Sequence, residues 1–199
     1  MNLLDLGTKD YKETLEIQYE TIKKVLNKEL DNTLILVEHP HVITLGRKGK
    51  ESDILDSSIP FYKIERGGEV TYHGFGQLVG YPIIDYSEKK DVNKFLRNLE
   101  QTLINTLTNY EIEANRNPNH TGVWVKDKKI ASIGVSFKNW ISYHGFALNI
   151  FTDLNYFFKI NPCGLDSSVM TSMEKLTTKN INLEEIKKII FQNIKELFA

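Results

Sequence analysis

Gly122-Val123-Trp124-Val125-Lys126-Asp127-Lys128-Lys129-Ile130-Ala131-Ser132-Ile133-Gly134-Val135 is the stretch whose reading sets the fold class. Two apolar runs, Gly122–Val125 and Lys129–Val135, flank the polar connection Lys126-Asp127-Lys128, a length usual between adjacent elements. They read as two strands of a hairpin. Other strand-like runs lie upstream: Thr33–Val37, Val42–Leu45, and Leu78–Tyr81 leading into Pro82-Ile83-Ile84; Phe146–Ile150 follows. Three segments carry helical periodicity. From about Asp10 to Leu30, Tyr11, Leu15, Tyr19, Ile22, Leu26 and Leu30 form one apolar stripe, and Asp10 with Glu13 reads as a capping box. From about Asp91 to Tyr110 the stripe is Val92, Phe95, Leu99, Leu103, Leu107 and Tyr110. At the C-terminus Asn182 with Glu185 caps a stripe of Leu183, Ile186, Ile190 and Leu197. The order is helix, strands, helix, strands, helix. That is not strict βαβ alternation, so the expected fold is α+β with a mostly antiparallel or mixed sheet.

The 199 residues favour one domain, and 41% hydrophobic residues suffice for an ordinary core. With 25 basic and 26 acidic residues, the balance argues against broad nucleic-acid binding, leaving only local basic patches such as Arg47, Lys48 and Lys50. A single cysteine cannot make an internal disulfide. Met1–Asp5 has no basic n-region followed by a long apolar stretch, and the longest apolar runs are strand-length, so a soluble, cytoplasmic protein without a membrane span is expected.

Cys163 lies in Asn161-Pro162-Cys163-Gly164-Leu165. Proline sets one φ and glycine frees the next backbone position, which is how a chain presents a side chain on a tight turn. Cys163 is therefore a candidate nucleophile, set against the alternative of a small buried hydrophobe. Glu65–Gln77 holds four glycines among thirteen residues, together with Arg66, Thr71, Tyr72 and His73. Glycines there bring backbone N–H donors close to a ligand; the alternative is a turn between strands. Nucleotide fingerprints fail: Gly74-Phe75-Gly76 is followed by Val79 where a third glycine is needed, and Thr44 stands where a phosphate loop wants its first. Neither ATP nor NAD is supported. Glu38, His39 and His41 cluster around Pro40 without the spacing that converges metal ligands, so no metal is expected. Lys129 opens an apolar strand. It is either a solvent-facing edge residue or a cleft amine whose desolvation lowers its pKa.

Four motifs together resemble the lipoyl(octanoyl) transferases: Arg66-Gly67-Gly68-Glu69-Val70-Thr71-Tyr72-His73-Gly74, Lys129-Ile130-Ala131-Ser132-Ile133-Gly134, His144-Gly145-Phe146-Ala147-Leu148-Asn149 and Ile160-Asn161-Pro162-Cys163-Gly164-Leu165. Glu38-His39-Pro40, Thr44-Leu45-Gly46, Thr121–Trp124 and Thr171-Ser172-Met173 also match, so the resemblance spans about Leu34 to Met173. One departure is Phe75, where that family usually has proline.

The resemblance implies a fold of the biotin/lipoate protein ligase type, related to class II synthetase cores. It implies that Cys163 is an acyl-thioester nucleophile and Lys129 its partner. It also implies that Arg66, Gly67, Gly68, Glu69, Val70, Thr71, Tyr72, His73, Ser132, Ile133, Gly134, Gly145, Phe146 and Ala147 line the acyl and phosphopantetheine site. The apolar slot is expected to be walled by aromatics around Tyr72, Phe75 and Phe146. The implied donor is octanoyl-acyl carrier protein, and the acceptors are lipoyl domains of 2-oxoacid dehydrogenase complexes and the glycine cleavage H protein, with no cofactor. Thioester in and amide out is downhill, consistent with the missing nucleotide motif. Carrier proteins are acidic, so the Arg47–Lys50 patch reads either as a carrier contact or as a solvated turn. The alternatives are an ATP-dependent lipoate–protein ligase of the same fold, or a module that binds lipoyl domains without catalysis.

Overall fold

A computed structural model describes residues 1–161 and 167–199. Among the described residues there are ten strands: β1 (Asn2–Thr8), β2 (Thr33–Glu38), β3 (Val42–Leu45), β4 (Phe61–Lys63), β5 (Val70–His73), β6 (Gln77–Ile83), β7 (Asn115–Arg116), β8 (Val123–Val125), β9 (Lys128–Lys138) and β10 (Ile141–Asn149). Three α-helices accompany them, α1 (Tyr11–Leu26), α2 (Val92–Thr108) and α3 (Leu183–Leu197). The large sheet has the order β1-β2-β6-β10-β9-β8-β7, and a small sheet has the order β4-β3-β5. β1 runs parallel to β2 and β4 parallel to β3; the other pairs are antiparallel. The sheets are mixed, as the element order implies. β8 and β9 form the predicted hairpin.

The helix starts follow local chemistry. Asp10 accepts from the N–H of Lys12 and Glu13, Asp91 from Lys94, and Asn182 from Glu184 and Glu185, satisfying donors the first turn leaves open. α2 and α3 pack together on one face of the large sheet, where Phe95, Leu99, Leu103, Leu107, Ile186, Ile190 and Ile194 are wholly buried. α1 covers the opposite face, against Ile35, Val37, Val79, Tyr81 and Ile83.

The stripe expected on α1 is displaced. Leu26 is exposed, and the helix ends there because Lys28 turns to φ 60°. The buried face is Tyr11, Thr14, Gln18, Thr21, Ile22 and Val25. Thr14 and Thr21 enter it because their hydroxyls donate to the carbonyls four residues back, at 2.8 Å each. Gln18 enters because its Oε1 accepts the backbone N–H of His144 at 2.9 Å. β1 was not expected from its mixed sequence, and its side chains are mostly exposed. Among the described residues, no helix is long and apolar enough to cross a membrane.

Candidate active site

Between the α1 face of the large sheet and the small sheet lies a cavity of about 250 Å³. Side-chain size explains the space. Strand alternation sends Ala131 and Val135 of β9 towards the α2–α3 core, while Ser132 and Gly134 border the cavity; Ile133 packs on the core and also touches the cavity. On β10, Phe146 and Leu148 enter that same core and Ala147 faces the other way. A Cβ on Gly134 would stand 2.8 Å from the Gly67 carbonyl oxygen, so only glycine lets the Arg66 loop cross β9 this closely.

Thirteen of the expected site residues border this one cavity: Arg66, Gly68, Glu69, Val70, Thr71, His73, Lys129, Ser132, Ile133, Gly134, Gly145, Phe146 and Ala147. Two do not. Gly67 donates its N–H to the Val135 carbonyl at 2.9 Å, and its own carbonyl accepts from Arg66 Nη1 at 3.0 Å. Tyr72 turns into a separate aromatic cluster, 2.7 Å from His41 Nδ1 and stacked on Tyr156 with ring centres 5.1 Å apart. The aromatic wall differs from expectation as a result. The Phe146 ring lies over Gly80 in the core, where a Cβ on Gly80 would clash with it. Phe75 is 49% exposed, edge-on to His41. Besides Phe146, the cavity is bordered by Tyr11, Tyr81 and Phe157, together with Ile64, Val79 and Met170. Sequence reasoning missed them, because strand and helix faces carry no sign of which long-range partner they meet. His120 and Lys48 also border it, so the Arg47–Lys50 run reaches the cavity at Lys48.

Arg66 is a buried cation on the cavity wall. Its Nη2 donates to the Thr44 carbonyl at 2.7 Å and to the Thr44 hydroxyl at 3.0 Å. Burial pushes His73 and His144 down to about 3 and His39 to about 4, and Arg66 adds to the first two shifts. His39 lies between the Lys9 carbonyl and the Tyr81 hydroxyl, each at 2.8 Å, while Glu38 accepts from Gly76 N–H. The clustered Glu38, His39 and His41 thus serve three different hydrogen-bonding sites, and among the described residues no group of three His, Cys, Asp or Glu could hold a metal. Tyr11 and His144, both 2% exposed, border the cavity, and among the described residues the Tyr11 hydroxyl and both His144 ring nitrogens have no hydrogen-bond partner.

Lys129 is 7% exposed, not an edge residue in solvent. Its Nζ lies 5.7 Å from the Trp124 ring centre, a cation–π distance, and its carbonyl accepts from Thr171 N–H at 2.9 Å. Cys163 lies outside the described residues. On the far side of that segment the chain pairs with Lys129 through Met170, which borders the cavity. The arrangement offers a cavity of mixed polar and apolar lining, with a buried amine and glycine-rich backbone at its wall, equipment suited to acyl-group chemistry.

Residues 10–195 match the lipoyl protein ligase A/B catalytic domain. An octanoyltransferase from Geotalea uraniireducens (strain Rf4) is 44% identical over 188 residues, 94% of this chain and 88% of that protein. Among solved structures, lipoate-protein ligase A bound with ATP superposes with a TM-score of 0.79 at 14% identity, covering 98% of this chain and 84% of that one. Biotin protein ligase from Aquifex aeolicus superposes with a TM-score of 0.59 at 12% identity, covering 100% of this chain and 69% of that one. The fold is thus the biotin/lipoate protein ligase type that the sequence motifs imply.

Proposed function

The chain belongs to the lipoyl protein ligase A/B catalytic domain family, and from that premise we propose that all 199 residues form one octanoyltransferase domain working through a cysteine thioester. The enzyme is an acyltransferase of protein lipoylation. The Cys163 thiolate attacks the carbonyl of an octanoyl thioester, the carrier thiol leaves, and the acyl group rests on Cys163. The lysine amine of a lipoyl domain then attacks that carbonyl, an amide forms, and the Cys163 thiol returns. Lys129 lowers the thiol pKa and moves the protons between the two half-reactions. The octanoyl chain occupies the cavity bordered by Val79, Tyr81, Phe157 and Met170, and the N–H groups of Gly68 and Glu69, or that of Gly164, receive the oxyanion.

The observation that carries this reading is the buried Lys129 at the wall of the same cavity as the glycine-rich loop. The donor is octanoyl-acyl carrier protein, the acceptors are lipoyl domains of 2-oxoacid dehydrogenase complexes and the glycine cleavage H protein, and the compartment is the cytoplasm. The deciding experiment mixes the protein with octanoyl carrier protein and a lipoyl domain in chelator, without ATP, and follows intact masses. Octanoylated enzyme followed by octanoylated lipoyl domain is expected. Modification only with free octanoate, ATP and magnesium would overturn the reading in favour of a ligase.

A further inference from the structure

Glu100 of α2 is a wholly buried carboxylate that takes no part in the chemistry above. Both its oxygens are occupied, all by donors. Oε2 receives Arg97 Nη1 at 2.6 Å and Arg116 Nε at 3.2 Å, and Oε1 receives the backbone N–H of Gly122 at 3.2 Å. Arg116 is tied back to the same helix through Gln101 Oε1 at 2.7 Å and the Arg97 carbonyl at 3.2 Å. The carboxylate therefore anchors the start of β8 to α2 at Gly122.

Gly122 is where Lys129 rests. A Cβ there would stand 2.7 Å from Lys129 Cε and 2.6 Å from the Ala131 carbonyl oxygen, so the lysine stem lies directly on the glycine backbone. Two residues on, Trp124 presents its ring to Lys129 Nζ. Gly122 also holds φ +133°, which together with the close Lys129 stem keeps any other residue out of this position. We propose that Glu100 is a positioning residue for Lys129: it holds the Gly122 backbone, and Gly122 sets the height and direction of the lysine amine in the cavity. The proposal rests on the reading of Lys129 as the partner of Cys163.

Glu100→Gln tests it with little change of shape. An amide offers one acceptor oxygen where three donors converge. The oxygen turns to the arginines, whose charge-assisted bonds are stronger, and an NH2 group then faces the Gly122 N–H. The experiment measures the rate of Cys163 alkylation by iodoacetamide at pH 7, with melting temperatures, in the wild type, Glu100→Gln, Lys129→Ala and the double variant. Glu100→Gln is expected to slow alkylation roughly fivefold when Lys129 is present and less than about twofold when it is alanine, because coupled residues do not add. Equal slowing in both backgrounds, or none in either, overturns the proposal while Lys129→Ala still slows the reaction. An unchanged rate in Lys129→Ala alone brings down the dyad reading and the proposal with it, and so separates the two failures. Should Glu100→Gln not fold, Arg116→Gln, at an exposed position, removes one of the two holding cations and is held to the same two-background comparison, with a smaller factor.

Discussion

His73 Nδ1 stands 2.7 Å from Gln77 Oε1. The amide nitrogen of Gln77 already donates to Asn149 Oδ1 at 2.9 Å and to the Tyr72 carbonyl at 3.3 Å, so its oxygen is the acceptor and His73 carries its proton on Nδ1. Nε2 then takes the Thr44 hydroxyl at 3.4 Å, and that hydroxyl accepts from Arg66. On the other side Asn149 donates to the Thr171 carbonyl at 3.0 Å. One buried chain thus joins the closing Thr171 segment to the Arg66 loop through His73. With both nitrogens occupied and its pKa near 3, His73 is a neutral wall of the cavity and not a carrier of protons.

Gln77→Leu should expose the cost of breaking that chain. It leaves the His73 Nδ1–H and Asn149 Oδ1 buried without these partners, at about 1–3 kcal/mol for each such group. Urea unfolding should show a loss of roughly 2 kcal/mol or more. A loss below a few tenths would mean that the two groups find other partners.

Acid should weaken the fold through its buried histidines. His39, His73 and His144 titrate at about 4, 3 and 3 in the folded chain, below the ordinary value of about 6.5. Between these limits the unfolded chain binds more protons than the folded one, so stability falls as pH drops through 6.5 towards 4 and is flat above 6.5. Each histidine contributes a slope of about 1.4 kcal/mol per pH unit within the window. His144→Asn should lessen the slope by about a third, since it removes one of three such groups. Asparagine also tolerates the φ of 56° at this position, and the ring nitrogens it replaces have no partner. Melting temperatures at pH 5 to 8 check this; an unchanged slope in the variant would exclude His144 as a contributor.

Gly67 and Gly68 should part company. A Cβ on Gly67 meets nothing closer than the Val135 carbonyl at 3.6 Å, whereas Gly68 holds φ +83°. Gly67→Ala should keep wild-type stability and near wild-type transfer, since Gly67 lies off the cavity and its added Cβ meets nothing close. Gly68→Ala should cost about 1 kcal/mol or more. Thermal melts beside turnover decide it, and equal destabilisation by both would contradict the geometry.

Cys163→Ser should lose the octanoyl adduct and nearly all transfer, because a serine hydroxyl without a strong base is a far weaker nucleophile. Intact mass after incubation with octanoyl carrier protein reads the adduct directly. Full transfer by the serine variant would remove the thioester from the mechanism.

What the sequence determined by itself was local. Asp10, Asp91 and Asn182 cap helices because a side-chain oxygen meets N–H groups two or three residues ahead, and nothing distant is needed. The β8–β9 hairpin and the runs that became β2, β6 and β10 were legible because buried strands need unbroken apolar residues. The Arg66–His73 loop, Lys129 and Cys163 stood out as candidates in the sequence only when taken together, through the family resemblance, since each alone also fits a structural role.

Tertiary structure alone decided which faces met. It buried Gln18 against the His144 backbone, turned Tyr72 away from the cavity towards His41, and brought Tyr11, Tyr81 and Phe157 to its wall. It placed Glu100 under Gly122. β1 went unread because its mixed residues pair with β2 through backbone hydrogen bonds, which any sequence without proline can supply. A side chain's orientation depends on partners tens of residues away, and their position becomes settled only when helices and sheets bury their faces together.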